Sequence, residues 1–119
     1  MPAEISIDDA AYERGTYSIT LSFTDDNGDP VVPNAGLKWS LTKGDRQTIV
    51  NNREDVAIAS LDTSVTIVLS GDDLALDTGH TMQYRYLVVE GTYNSDLGTD
   101  LPLNDHVKFP IIDIAKVPD

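Results

Sequence analysis

The sequence predicts an all-β fold: a two-layer sandwich of about seven to eight antiparallel strands. Three observations carry this. The dominant hydrophobic period is two, the turn residues recur at short spacing, and no stretch of eleven or more residues carries a helical stripe. The chain has 119 residues, 40% of them hydrophobic and 24% charged, which is the size and composition of one globular domain with one core.

Tyr17, Ile19, Leu21 and Phe23 alternate with Ser18, Thr20, Ser22 and Thr24, a strand with one apolar and one wet face. Leu37, Trp39 and Leu41 repeat the pattern, as do Val65, Ile67 and Leu69. Met82, Tyr84 and Tyr86 alternate with Gln83 and Arg85 and run on into Leu87-Val88-Val89, which predicts a central strand covered on both faces or a change of facing at a bulge. Val107, Phe109 and Ile111 make a last strand, in which Pro110 predicts an edge or a bulge because it donates no ladder bond. Shorter strands are expected at Thr48–Val50, at Val56–Ile58 and in Glu4–Asp9. The expected core is Leu21, Phe23, Leu37, Trp39, Ile67, Leu69, Tyr84 and Phe109.

Between these runs, Asp25-Asp26-Asn27-Gly28-Asp29-Pro30 is a dense turn signal, Lys43-Gly44-Asp45 closes a second hairpin, and Ser70-Gly71-Asp72-Asp73 ends the strand before it. Leu74-Ala75-Leu76 is long enough for one helical turn. Gly91–Asp105 breaks the period. It reads either as a long hairpin with a short strand at Thr92–Ser95, or as a contact loop presenting Tyr93, Leu97, Leu101 and Leu103 to a partner. Residues 1–11 and 113–119 flank the core as an arm and a tail. Ile114 and Val117 make the tail a second candidate contact, by strand addition to a neighbouring subunit.

The charge is strongly acidic: 20 Asp and Glu against eight Lys and Arg, a net −12. Nucleic acid and anionic membrane both select for excess positive charge, so neither is expected as a partner. Cysteine is absent, which removes disulfides, thiolate metal sites and Cys nucleophiles. Met1 is not followed by a basic-then-apolar start, so synthesis in the cytosol without a signal peptide is expected. His80 and His106, with Ser95 and Asp77 as conceivable partners, form no recognisable catalytic signature, and no enzymatic function or cofactor is expected. Asp25, Asn27 and Asp29, and separately Asp72, Asp73 and Asp77, supply oxygens of the kind calcium takes. The first group fails the EF-hand pattern, with Pro30 in the glycine position and Gly36 where the closing Glu belongs. Turn formation is therefore preferred as its purpose, and no metal is assigned.

The stretch Phe23–Leu41, FTDDNGDPVVPNAGLKWSL, resembles the bacterial and phage immunoglobulin-like domains of invasin-type adhesins and of phage virion proteins. The residues that carry the resemblance are Asp25, Gly28, Pro30, Val31, Pro33 and Trp39, and the order of strands and turns over residues 12–114 agrees with it. It implies an immunoglobulin-like β-sandwich and a non-catalytic structural role in the virion of a tailed phage or prophage. Head decoration comes first, otherwise a neck or tail accessory docked on capsid or tail subunits, with a homo-dimer or trimer as its possible assembly. The alternative is an adhesion or carbohydrate-binding module of a cell-surface protein. That alternative favours exposed aromatics on one face, and Tyr12, Tyr17, Tyr86 and Tyr93 do not align in any obvious way in the sequence.

Overall fold

The computed structural model describes residues 3–6 and 10–114, and of residues 3, 4 and 6 only the backbone. The chain is all-β: β1 Ala3–Ser6, β2 Ala11–Tyr12, β3 Thr16–Phe23, β4 Lys38–Lys43, β5 Val56–Ala57, β6 Ser64–Ser70, β7 Met82–Ser95 and β8 Gly98–Ile112. Its only helical piece among the described residues is a 3-10 turn at Gly71–Leu74, just ahead of the expected position. No helix of the described residues is long and apolar enough to cross a membrane.

The strands form a three-stranded sheet, order β1-β3-β6, and a five-stranded sheet, order β2-β8-β7-β4-β5. Pairing is antiparallel except that β2 runs parallel to β8, Ala11 beside Ile111 and Tyr12 beside Ile112, so the expectation of uniformly antiparallel strands is corrected. Both sheets contribute to one hydrophobic cluster: Tyr17, Ile19, Leu21, Phe23, Ile67 and Leu69 from the first, and Trp39, Leu41, Leu87, Val89, Phe109 and Ile111 from the second. The rings of Tyr17 and Phe109 stack across the two sheets at 5.1 Å.

The Asp25–Pro30 turn behaves as its residues dictate. Asp25 Oδ1 accepts from the backbone N–H of Asn27 (2.9 Å) and of Asp29 (3.0 Å), and Gly28 takes φ 84°, where a side chain would be strained. Of the expected core only Tyr84 fails, at 42% exposure. Along β7 the parity is unbroken from Met82 to Tyr93: Arg85, Leu87 and Val89 point inward opposite Phe109, Val107 and Asp105, while Met82, Tyr84, Tyr86 and Val88 lie on the other face, where Arg46 and His106 lie against Tyr86 and it is only 7% exposed. β7 therefore sits centrally, between β8 and β4, with no change of facing over this run.

Gly91–Asp105 is the hairpin of the two readings, and a longer one than expected. β7 and β8 stay paired out to Ser95 and Gly98, with one irregularity between Tyr93 and Ser95. At about 3.3 Å per residue β7 alone is roughly 45 Å long, most of the molecule's 53 Å extent. Asn34 fastens the hairpin's far end: its Nδ2 donates to Thr92 Oγ1, Asn94 Oδ1 and Asp100 Oδ1 at 3.2, 3.0 and 3.1 Å. Beside it Gly91 leaves room for Leu37, whose Cδ1 would stand 2.6 Å from a Cβ at this position.

Candidate functional site

The contact residues expected from the sequence do not form one surface. Tyr93 (7% exposed) and Leu103 (0%) are core residues, because their parity on β7 and β8 is that of Val89 and Phe109; as partner contacts both are corrected. Leu101 is half-buried against the same core. Leu97, at 74%, is exposed at the hairpin apex. Ile114 is exposed too, but it follows Ile112, which lies opposite Met82 at the other end of the hairpin, roughly 45 Å from Leu97 by strand length. Val117 lies outside the described residues.

What the register does assemble is a strip on the outer face of the five-stranded sheet. Tyr12, Ile112 and Met82 lie in one row across β2, β8 and β7, and Pro110 and Tyr84 fill the next. Lys108 and Tyr86 follow, then His106 and Val88. Tyr12, Met82 and Tyr84 are 54, 46 and 42% exposed. Lys108 Nζ stands 4.2 Å from the centre of the Tyr84 ring, and the Arg46 guanidinium lies over Tyr86 at 4.9 Å. Arg46 Nη2 also donates to the Tyr86 hydroxyl at 3.3 Å, and the Arg46 contact draws the Tyr86 pKa below its ordinary value. His106 meets the same ring edge-on at 5.6 Å. Between the Met82 and Val88 rows no strand position on this face carries a carboxylate. On a chain of net charge −12 this is an apolar, aromatic strip with cations laid over its rings, suited to a flat apolar, π-rich or acidic counterpart.

Period-two reading put Tyr84 in the core because alternation defines two faces of a strand without saying which is inside. Arg85 was the available signal. It is 2% exposed, its Nη1 donates to Tyr84 O (3.0 Å), its Nη2 to Ala75 O (3.2 Å) and Gln83 Oε1 (3.1 Å), and its Nε has no partner. Burial pulls its pKa down, opposed by the charge of Asp77.

Asp25, Asp72, Asp73 and Asp77, four of the residues considered for calcium, use carboxylate oxygens within the fold. Asp25 Oδ1 caps its own turn. Asp72 pairs with Arg14 (2.9 Å), and Asp77 receives Lys43 Nζ and Gln83 Nε2, each at 3.0 Å. These two donors, Gln83 first, hold the Asp77 carboxyl below its usual range. Asp73, 1% exposed, accepts from Arg53 Nε (2.8 Å), Asn51 Nδ2 (2.9 Å) and the Ser70 N–H (3.2 Å). Burial pushes its pKa up, but these bonds outweigh burial and leave it lowered. Both carboxylates are thus ionised struts that pin loops to strand ends. Ser95 belongs to the hairpin apex, where its Oγ accepts the Leu97 N–H, whereas Asp77 is tied to Gln83 near the opposite end. His80 donates its backbone N–H to Asp77 O, and His106 sits on the outer strip, so these four residues do not converge.

Comparison with family models, with curated proteins and with solved structures gives no match.

Proposed function

We propose that this chain is an immunoglobulin-like, non-catalytic binding domain that works as a structural protein of a tailed-phage or prophage virion, in head decoration ahead of a neck or tail accessory. The observation that supports a docking role is the strip Tyr12–Met82–Tyr84–Pro110–Ile112, an apolar stripe on a rigid sheet in an otherwise acidic molecule. The fold reading is supported by strand order. Immunoglobulin sheets run A-B-E-D and C-F-G, and here β1-β3-β6 corresponds to A-B-E while β4-β7-β8 corresponds to C-F-G. The virion assignment leans on the resemblance carried by Asp25, Gly28, Pro30, Val31, Pro33 and Trp39.

The direct test is co-sedimentation of the purified chain with virions of the phage or prophage that encodes it. The double variant Met82→Ser/Tyr84→Ser loses binding, while Leu97→Ser, at the far end of the hairpin, keeps it. Binding unaffected by the strip variant, or no binding by the parent chain, rejects the assignment.

One observation favours the second reading, an adhesion or carbohydrate-binding module. Tyr12 and Tyr84 are exposed on one face, although Tyr17, Tyr86 and Tyr93 are buried. Exposed tyrosines on a shared face are what sugar rings stack on. A glycan panel separates the two: a specific sugar signal lost in Tyr84→Ser supports the module, and a blank panel with virion co-sedimentation supports the virion protein.

A further inference from the structure

Every open sheet carries edges, and the two longest edges here are treated in opposite ways. On β8 the odd-numbered residues bond to β7, as the Asp113 N–H donating to Thr81 O requires by register, and the even-numbered ones point their N–H and C=O outward, as Ile112 O does in accepting Glu13 N–H. β2 covers this edge only at Ile111–Ile112. Of the remaining outward positions, Pro102 and Pro110 have no N–H, and the His106 N–H is taken by Asp105 Oδ1 at 2.8 Å. Prolines, charges and side-chain caps are how edges are kept from pairing.

β6 has none of this along its middle. The Phe23 N–H donates to Thr63 O and the Gly71 N–H to Gly15 O, so odd-numbered residues of β6 bond to β3 and Ser64, Thr66, Val68 and Ser70 face outward. Asp73 Oδ2 caps Ser70, but among the described residues β6 has no strand on this side. The strand reads SVTIVLS, with no proline and no charge, and Val68 is 56% exposed. In the A-B-E-D order this is the place of strand D, which is not formed between β5 and β6.

We propose that β6 is a self-association edge, and that its occupant is β6 of a second copy of this chain, joined antiparallel about a two-fold axis. The argument is charge and self-complementarity. A chain of net charge −12 repels its own copy over most of its surface, and this strand is neutral along its whole length. With Ile67 placed opposite its symmetry mate, Thr66 falls opposite Val68, Val65 opposite Leu69 and Ser64 opposite Ser70. Every outward N–H and C=O of Thr66 and Val68 then meets its complement, and β-branched residues pair across the seam with no like charges opposed. The three-stranded sheets merge into one continuous sheet, and the aromatic strip on the other sheet stays free. This inference is independent of what the strip binds.

The test is sedimentation equilibrium of the full chain across a wide concentration range. The parent chain reaches twice the 13.0 kDa mass of one copy, and Val68→Lys, a charge at an exposed edge position, stays at single mass throughout. A parent chain that stays monomeric, or a Val68→Lys chain that still dimerises, overturns the proposal. A register test covers a variant that fails to fold. The chain has no cysteine, so Thr66→Cys and Val68→Cys chains mixed under oxidising conditions report only the new thiols. Opposed pairs lie within disulfide reach, whereas like residues sit two positions apart and beyond it. A dimer band from the mixture, and none from either variant alone, supports the register; bands of equal strength in all three overturn it.

Discussion

Replacing Asp73 by Asn changes one atom of a buried carboxylate and no volume, so it isolates the electrostatics of the site. Asp73 Oδ1 accepts from Arg53 Nε and Asn51 Nδ2, and Oδ2 accepts from the Ser70 N–H. An amide has one acceptor and one donor end. With its oxygen toward Arg53 and Asn51, its NH2 faces the Ser70 N–H; turned over, the NH2 faces the two side-chain donors. Either way a donor meets a donor in a residue 1% exposed. Hydrogen bonds to a charged group contribute about 1.5–3 kcal/mol each. The Arg53 side chain is 43% exposed and regains water, which cuts its share well below the full cost of a broken buried pair. A net loss of about 2–4 kcal/mol follows, or roughly 10 °C in Tm for a chain of this size. Asp73→Ala should lose as much, because Asn rescues nothing.

The assay is urea unfolding followed at Trp39, the only tryptophan and a buried one. The acid limb gives a second readout. The folded-state pKa of Asp73 is lowered, so its stabilisation is full above the unfolded value near ~3.9 and is lost as pH falls through the folded value. The gap between parent and Asp73→Asn should therefore be wide at neutral pH and narrow toward about pH 2. A gap below about 1 kcal/mol at neutral pH, or one that does not change with acid, would refute the reasoning.

Three further outcomes use the same unfolding assay. Gly91→Ala drives a Cβ to 2.6 Å from Leu37 Cδ1 and 3.4 Å from Leu37 Cα, against a residue only 1% exposed; overpacking of this kind costs about 1–3 kcal/mol, and an unchanged midpoint would mean that Leu37 repacks freely. Trp39→Ala, followed by circular dichroism because the probe is lost, empties a large core site and costs about 3–5 kcal/mol; under about 1 kcal/mol would remove Trp39 from the core. Arg85→Met keeps the volume and removes a buried charge whose Nε has no partner, so stability stays within about 1.5 kcal/mol of the parent or rises, whereas Arg85→Ala loses about 2–5 kcal/mol through the cavity. Equal losses for the two would show that the guanidinium bonds, not its volume, hold the site.

Much of this fold is local chemistry. β3, β4, β6 and the end of β8 follow from period two, because their apolar residues, Val68 and Ile112 aside, fall on one parity and their polar residues on the other. The Asp25–Pro30 turn follows from a side-chain acceptor two residues ahead of a backbone donor, and the 3-10 turn from the Ser70–Asp73 segment. The contact residues of the hairpin were legible only as apolar residues. Gly91–Asp105 alternates too weakly, with Gly91, Pro102 and several Asp and Asn, to show that Tyr93 and Leu103 share the buried parity of β7 and β8.

By itself, then, the sequence determined that the chain is β, where most strands break, and that its net charge is strongly negative. Tertiary structure decided the facing of β7, the parallel β2–β8 pair, and which edges stay open. The reason is that each depends on a partner distant in sequence. Tyr84 and Arg85 are both plausible on either face of an isolated strand. Pairing them with Pro110 and Phe109, in the register that also sets Leu87 against Val107, turns Arg85 inward, brings Tyr84 to the surface, and so places the aromatic strip.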